Sequence, residues 1–224
     1  MYLSLNSHKL SLMFAAVLAG GENTRYPITK GFIEIEGRRL IDSAVSALGG
    51  LPFFSGRVVV STNEPEKYFY LRVPLIGDVY AARGPMTGIF SVLRATGASW
   101  VFVAACDMPF INMGLVLKMA SMLDKKGSFD VLSPLWRGWP EPLLSFYSSR
   151  CLGEMEKRIL AGKTGLQEFL NDVPVSYLAE ADVRRIDPEG ASFVNINTEG
   201  DFRNAVALLK QGKPGPTEAG ICSD

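Results

Sequence analysis

Apolar and polar positions along the chain fall into two rhythms. Residues 13–18 ("MFAAVL") are unbroken apolar, 57–62 ("RVVVST") nearly so, and "WVFVAACDMPFI" from 100 is the longest such run. Runs without polar alternation are expected of strands covered on both faces. Between them lie segments of helical period. Residues 40–50 form an amphipathic helix stopped by glycines, and 65–72 predict a further helix. Others are predicted from about 86 to 97 and from Asn112 to about 126. A short hairpin is expected around Glu36-Gly37, and "VPLIGD" reads as a short strand ending at Asp78. The last third is less regular. It offers strands "FDVLSPL", "PLLSFYS" and "VSYL", helices near 152–161 and 166–170, a "SFVNIN" segment, and a last helix from Thr198.

Alternation of this kind predicts an α/β protein. The expected form is a single-domain three-layer αβα sandwich with a mostly parallel, Rossmann-like sheet. Residues 1–211 would form the domain, and 212–224, rich in Gly, Pro and polar residues, a flexible tail. In such sheets ligands bind beyond the carboxyl ends of the strands. Gly20-Gly21, Asp78 and Asp107 each lie just past a predicted strand end, so they can converge although they are distant in sequence.

Composition narrows the chemistry. With 224 residues, 47% of them hydrophobic, the chain can bury a substantial core. Lysine and arginine number 23 and so do aspartate and glutamate, which argues against a nucleic-acid partner. Cys106, Cys151 and Cys222 are too scattered for a disulfide framework or a zinc pattern, and fit a reduced, cytoplasmic compartment. The one histidine is His8, so histidine triads and histidine-rich metal sites are excluded. A metal here would be held by oxygen, which points to Mg2+ or Mn2+. "HKLSLMFAAVLAGG" has the outline of a signal peptide, but its apolar stretch is short and serves as the first buried strand. No apolar segment is long enough to span a membrane.

The candidate chemistry begins in "VLAGGENTRYPITKG", residues 17–31. Neither the dinucleotide fingerprint nor the P-loop pattern is present. Two glycines after a strand could be a tight turn with solvated cations beside it. However, Arg25 can fork onto phosphate oxygens and Lys30 supplies a mobile point charge, so an anion cradle is the sharper reading. Asp107 ends the most apolar strand, where a carboxylate is costly unless paired, hydrogen-bonded or metal-bound. A capping role suits it less, because Asn112 is better placed to cap the following helix. Asp78 could be turn chemistry as readily as a ligand contact. In "GPMTGI", Pro85 suits a helix start and Gly88 permits close approach of a ligand. Trp136 and Trp139 read as packed or loop aromatics ahead of a cover for a flat heterocycle. Cys106 reads as a small buried residue rather than a nucleophile.

Four segments together carry a resemblance. "LAGGENTRYPITKG" resembles the L-A-G-G-x-x-x-R-x-x-x-x-K loop of nucleotidyltransferases with a GT-A-like fold, and most closely that of the molybdenum cofactor guanylyltransferases. "GPMTGI", "ACDMPFI" and "FVNINT" are similar to that family's Gly-Pro-Leu-x-Gly-Ile, Cys-Asp-Met-Pro and Val-Asn-Ile/Val-Asn-Thr segments, in the same order. The resemblance implies backbone contacts to a nucleotide from Leu18, Ala19, Gly20 and Gly21, and phosphate contacts from Lys30 and Arg25. Ser61 and Asp78 would lie at the nucleoside, Asp107 would hold the metal, and Asn195 and Asn197 would close the site on the acceptor or metal side. Departures are visible at Pro27 and Thr29, where the family loop reads Gly-x-Asp, and at Ser61, where many relatives carry asparagine and this chain has Asn63 two residues on. "TRYPITK" leans toward the loop of sugar-nucleotide enzymes.

The implied reaction is transfer of GMP from GTP to the phosphate of molybdopterin, with Mg2+, releasing pyrophosphate. A phosphomonoester has its second pKa near about 6 and is a ready nucleophile at neutral pH, so a site without histidine suffices. The alternatives are a related transferase making a cytosine dinucleotide or a sugar nucleotide, and a nucleotide-binding protein without turnover.

Overall fold

The computed structural model of the chain describes residues 12–20, 30–123 and 128–210. Gly21, Arg25, Pro27, Thr29 and the proposed tail lie outside these residues.

The first strand, β1 (Met13–Leu18), lies at the middle of an eight-stranded sheet. It pairs in parallel with β4 (Val58–Ser61) on one side and β6 (Trp100–Ala105) on the other. Beyond β4 lies the short β5 (Leu75–Ile76), also parallel. Beyond β6 the chain reverses in β9 (Leu144–Ser148), which is antiparallel to both β6 and β7 (Val131–Trp136). The edge strand β10 (Val175–Leu178) is parallel to β7. The order is therefore β10-β7-β9-β6-β1-β4-β5, mostly parallel as expected, with β8 (Trp139–Pro140) folding back onto β7. A separate two-stranded ribbon, β2 (Glu34–Ile35) and β3 (Arg38–Arg39), turns at Glu36 and Gly37. Both turn residues have positive φ (52° and 75°), which is the primed turn that matches strand twist.

Alternate side chains of the central strands enter two separate cores. Met13, Ala15 and Val17 of β1, with Phe102 and Ala104 of β6, pack against α1 (Leu40–Gly49), α3 (Met113–Met122) and α6 (Glu180–Ile186). Ala16 and Leu18, with Val101 and Val103, face α2 (Pro85–Thr96), α4 (Leu152–Leu160) and α5 (Leu166–Phe169). Burial on both faces is why these strands read as continuous apolar runs. The last helix, α7 (Glu199–Lys210), lies against the ribbon through Ile33, Ile35, Leu40, Phe110, Ile196 and Ala205.

Two expectations are corrected. Residues 65–72 are not one α-helix but two 3-10 turns, Pro65–Lys67 and Phe69–Leu71, around the fully buried Tyr68. The segment is too short to repay helix nucleation, and Arg72 ends it with φ 55°. The helix expected to run to about 126 ends at Met122, where Leu123 turns to extended backbone. Its start is as expected: the Asn112 side chain accepts from Gly114 N at 2.8 Å and Leu115 N at 3.3 Å. Helix α6 and strand β8 are additions. "EADVRRI" carries its acids in the first turn and its arginines in the last, a readable dipole signature.

The segment following α6 is lashed down by the buried Asp187. Its carboxylate accepts from Ala191 N at 2.9 Å and Ser192 N at 2.8 Å. Ser192 Oγ in turn accepts from Asn112 N at 2.9 Å. Gly190 turns the chain with φ 67°, and a methyl group there would lie 2.0 Å from Trp136 Cζ2. We expect Gly190→Ala to destabilise the fold by roughly 1–3 kcal/mol, read from the urea midpoint. An unchanged midpoint would show that this loop does not depend on close approach of the indole.

Candidate nucleotide site

The register of the central strands builds the site. Leu18, the last residue of β1, is paired with Ser61 at the end of β4 and with Ala105 at the end of β6. The chain past each end is stitched to its neighbour: Ala19 N donates to Ser61 O at 2.9 Å, and Cys106 N to Leu18 O at 3.0 Å. Leu18, Ala19, Ser61 and Asp107 are thereby placed on one edge. Gly20 follows at the surface, with nothing within 4 Å of where a Cβ would stand.

On this edge two groups form. In the first, Lys30 Nζ donates to Asp107 Oδ2 at 2.8 Å and also to Asn197 Oδ1. The Asp107 side chain is 12% exposed and that of Lys30 33%, so the ion pair sits in a partly desolvated recess where its attraction is weakly screened. Ile196 N donates to Asp107 O at 3.0 Å, which brings the Asn195–Asn197 stretch to the loop that carries Asp107. Asp201, in the first turn of α7, holds that stretch from below. Its Oδ2 accepts from Asn197 N at 3.0 Å, Thr198 N at 2.8 Å and Thr198 Oγ1 at 2.9 Å, and Asp201 N donates back to Thr198 Oγ1 at 3.2 Å. This reciprocal pattern is that of a capping box. These bonds, the Thr198 side chain foremost, hold the Asp201 carboxyl below the usual range. Asn195 is exposed and finds no side-chain partner among the described residues.

The second group gathers around the start of α2. A Cβ on Gly88 would lie 2.7 Å from Ser61 Oγ, 3.5 Å from Leu18 Cδ2 and 3.6 Å from Asp78 Oδ1. The glycine therefore lets the helix approach the ends of β1, β4 and β5 together. Asp78 is fixed by Asn63, whose Nδ2 donates to Asp78 Oδ2 at 2.7 Å while its Oδ1 accepts from Asp78 N at 2.8 Å. Burial pushes the Asp78 carboxyl above the usual range and the Asn63 amide offsets part of that. In the sequence Asn63 stands out only by its place two residues after the Ser61 departure, which assigns it no role. No local signal marks the pairing, because the two residues lie 15 apart across a loop.

The remaining candidates divide. Cys106 is buried, and burial raises its thiol to about 12, which leaves no thiolate for nucleophilic chemistry. Trp136 is a packing residue, stacked on Phe193 at 5.1 Å with the Arg184 guanidinium 4.3 Å from its ring. Trp139, by contrast, is 72% exposed. Among the described residues no three His, Cys, Asp or Glu side chains cluster as a metal cage, and no helix is long and apolar enough to cross a membrane.

Comparison with known proteins agrees with this architecture. Residues 15–180 match the model of the MobA-like NTP transferase domain. A probable molybdenum cofactor guanylyltransferase from Peptoclostridium acidaminophilum is 30% identical over 204 residues, covering 89% of this chain and 91% of that one. A molybdenum cofactor guanylyltransferase from Desulfosudis oleivorans is 30% identical over 198 residues, covering 88% and 96%. The crystal structure of molybdopterin-guanine dinucleotide biosynthesis protein A from Archaeoglobus fulgidus superposes with a TM-score of 0.77 at 28% identity, over 89% of this chain and all (100%) of that one. With its strand ends gathered on one edge and its family model spanning most of the sheet, the chain belongs to the MobA-like NTP transferases, a nucleotidyltransferase family.

Proposed function

We propose that the chain transfers a guanylyl group from GTP to the terminal phosphate of molybdopterin. An acceptor phosphate oxygen attacks the α-phosphorus of GTP, the new O–P bond forms, and the bond to the β-phosphate oxygen breaks, releasing pyrophosphate. The observation that supports this reading best is the pairing of Lys30 with Asp107 and Asn197 on the edge that also carries Leu18, Ser61, Asp78 and Gly88. The acceptor and the base are those in the names of its relatives. We place the reaction in the cytoplasm, with its nucleotide substrate.

The division of labour follows from the two groups. Backbone of Leu18, Ala19 and Gly20 lies under the nucleotide, a role the resemblance extends to Gly21, and Ser61 and Asp78 flank the nucleoside where Gly88 leaves room. Lys30 releases Asp107 and turns its charge to the phosphates, and the resemblance assigns Arg25 to the same phosphates. Alignment and charge neutralisation then carry the rate, because the acceptor phosphate needs no general base. The donor set fits Mg2+ or Mn2+ held through few protein ligands: one carboxylate from Asp107, with the Asn197 amide oxygen sharing Lys30 with it. Magnesium is commonly bound in this way, through one or two carboxylates plus substrate phosphates. When bound, the ion supplies Lewis-acid neutralisation of the phosphate oxygens.

A thermal-shift panel of nucleoside triphosphates with Mg2+ tests the base. Selective stabilisation by GTP is expected, and preferential stabilisation by CTP or dTTP would replace guanylyl transfer with a related one. Asp107→Asn should keep the fold, read from its circular dichroism, yet lower pyrophosphate release with GTP and molybdopterin by at least about a hundredfold. Full activity would remove Asp107 from the mechanism. Gly88→Ala should weaken GTP binding about tenfold through contact with Ser61 Oγ while leaving the helix intact, since alanine favours helix by about 1 kcal/mol. Adding Ser61→Ala should restore part of that loss. Wild-type affinity in the single variant would take Gly88 out of the nucleotide site.

A further inference from the structure

The half of the sheet edge beyond β6 carries a second set of side chains that the nucleotide does not use. Strand β7 ends at Trp136, turns at Arg137 and Gly138 (φ 51° and 81°), and returns through Trp139. Trp136 is paired with Trp139 and Leu135 with Pro140. Glu141 N donates to Pro134 O at 3.1 Å, which extends the same ladder by one residue. Trp139 and Glu141, two apart on this extended segment, therefore share one side of it. That side is also the side of Trp136, whose ring stacks on Phe193. Phe193 opens the stretch that continues through exposed Asn195 to Ile196, bonded to Asp107, and Asn197, bonded to Lys30. One short strand of chain thus joins the hairpin to the phosphate-binding group.

Two features of the hairpin are unexplained by folding alone. The Trp139 indole is 72% exposed, yet its backbone is fixed on both flanks. Gly138 N donates to Glu180 Oε2 at 3.0 Å, and Gln167 Nε2 donates to Pro140 O at 2.9 Å. Glu141 is half-buried, and its carboxylate meets no donor among the described residues. Burial pushes that carboxyl above the usual range with no cation to offset it. A partly desolvated carboxylate without a partner costs stability unless a ligand completes it. An exposed indole on a fixed backbone, with an acceptor-only carboxylate two residues on, suits one ligand chemistry. It is a flat heterocycle with two neighbouring N–H donors on its edge, such as an amine next to a ring N–H.

We propose that Glu141 and Trp139 form the acceptor-recognition site, the carboxylate taking the paired N–H groups of a pterin-type ring and the indole lying on its face. This rests on the acceptor named in the proposed function, and it assigns the residues that choose that acceptor. The ring would stand on the β7–β9 side of Asp107 and the nucleotide on the β1–β4 side, with the acceptor phosphate directed between them.

The test uses the full chain and two small probes, pterin and lumazine, in which the 2-amino group is replaced by oxo. Affinities are measured by equilibrium dialysis without nucleotide. Wild type should prefer pterin by about tenfold, as expected for losing a charge-assisted hydrogen bond. Glu141→Gln, nearly isosteric, should shrink that preference to about twofold or less. Trp139→Ala should weaken both probes together, and Trp139→Phe should recover most of the binding. GTP-induced thermal stabilisation should be unchanged in all three variants. Absence of pterin binding to wild type, or a preference that survives Glu141→Gln, would overturn the assignment. Failure of guanylyl transfer with the pterin preference intact would instead strike the proposed reaction and leave this site standing.

Discussion

Strands β4, β1 and β6 stop together, and most of the site depends on that common stop. Leu18 faces Ser61 on one side and Ala105 on the other, and the first backbone donors past the ends, Ala19 N and Cys106 N, are spent on neighbouring strands. Because β1 is buried on both faces, a slip of one residue would exchange its two sets of side chains between unlike cores. The register is thus held by packing far from the edge, and the edge inherits its geometry from it. A carboxylate two residues past β6 then lies across from a lysine that follows the loop after β1, although 77 residues separate them.

The electrostatic arrangement at that edge is self-compensating. Asp107 is too enclosed to remain an unpaired anion, and Lys30 with Asn197 answers it. The pair is held by one mobile lysine charge, so the contact that neutralises Asp107 in the protein alone is one that another anion can compete for. Asn197 is kept in range by a helix cap, through Asp201, and by the bond from Ile196 N to Asp107 O beside it. The C-terminal helix therefore contributes to the site through one hydrogen-bonded turn.

Much of this was legible in the chain. Continuous apolar runs marked the doubly covered strands, and strand ends followed by Gly20, Asp78 and Asp107 indicated the edge. Asn112 was readable as a cap because its side chain can satisfy amides that Asp107, five residues earlier, cannot reach. What was not legible depended on tertiary partners. Residues 65–72 have helix-like composition, but the burial of Tyr68 between two tight turns decides their form. The bond between Asn63 and Asp78 joins residues 15 apart across a loop, and no local pattern announces it. The two tryptophans of "LWRGWPEPLL" look equivalent in sequence, yet pairing and the Phe193 stack bury one and leave the other outside. The arginine-glycine turn between them was the available clue.

The reversed strand β9 has an evolutionary corollary. Every parallel neighbour brings its finish to the edge, whereas β9 brings its beginning, so the chain just upstream of it reaches the cleft from the opposite direction. The two flanks are consequently encoded by separate stretches of gene, one centred on residues 17–107 and the other on 134–144. Lengthening or recolouring the β7–β8 turn would leave β1, β4 and α2 undisturbed. Substitutions confined to that turn would alter one flank of the edge while the strand ends of β1 and β4 stay as they are.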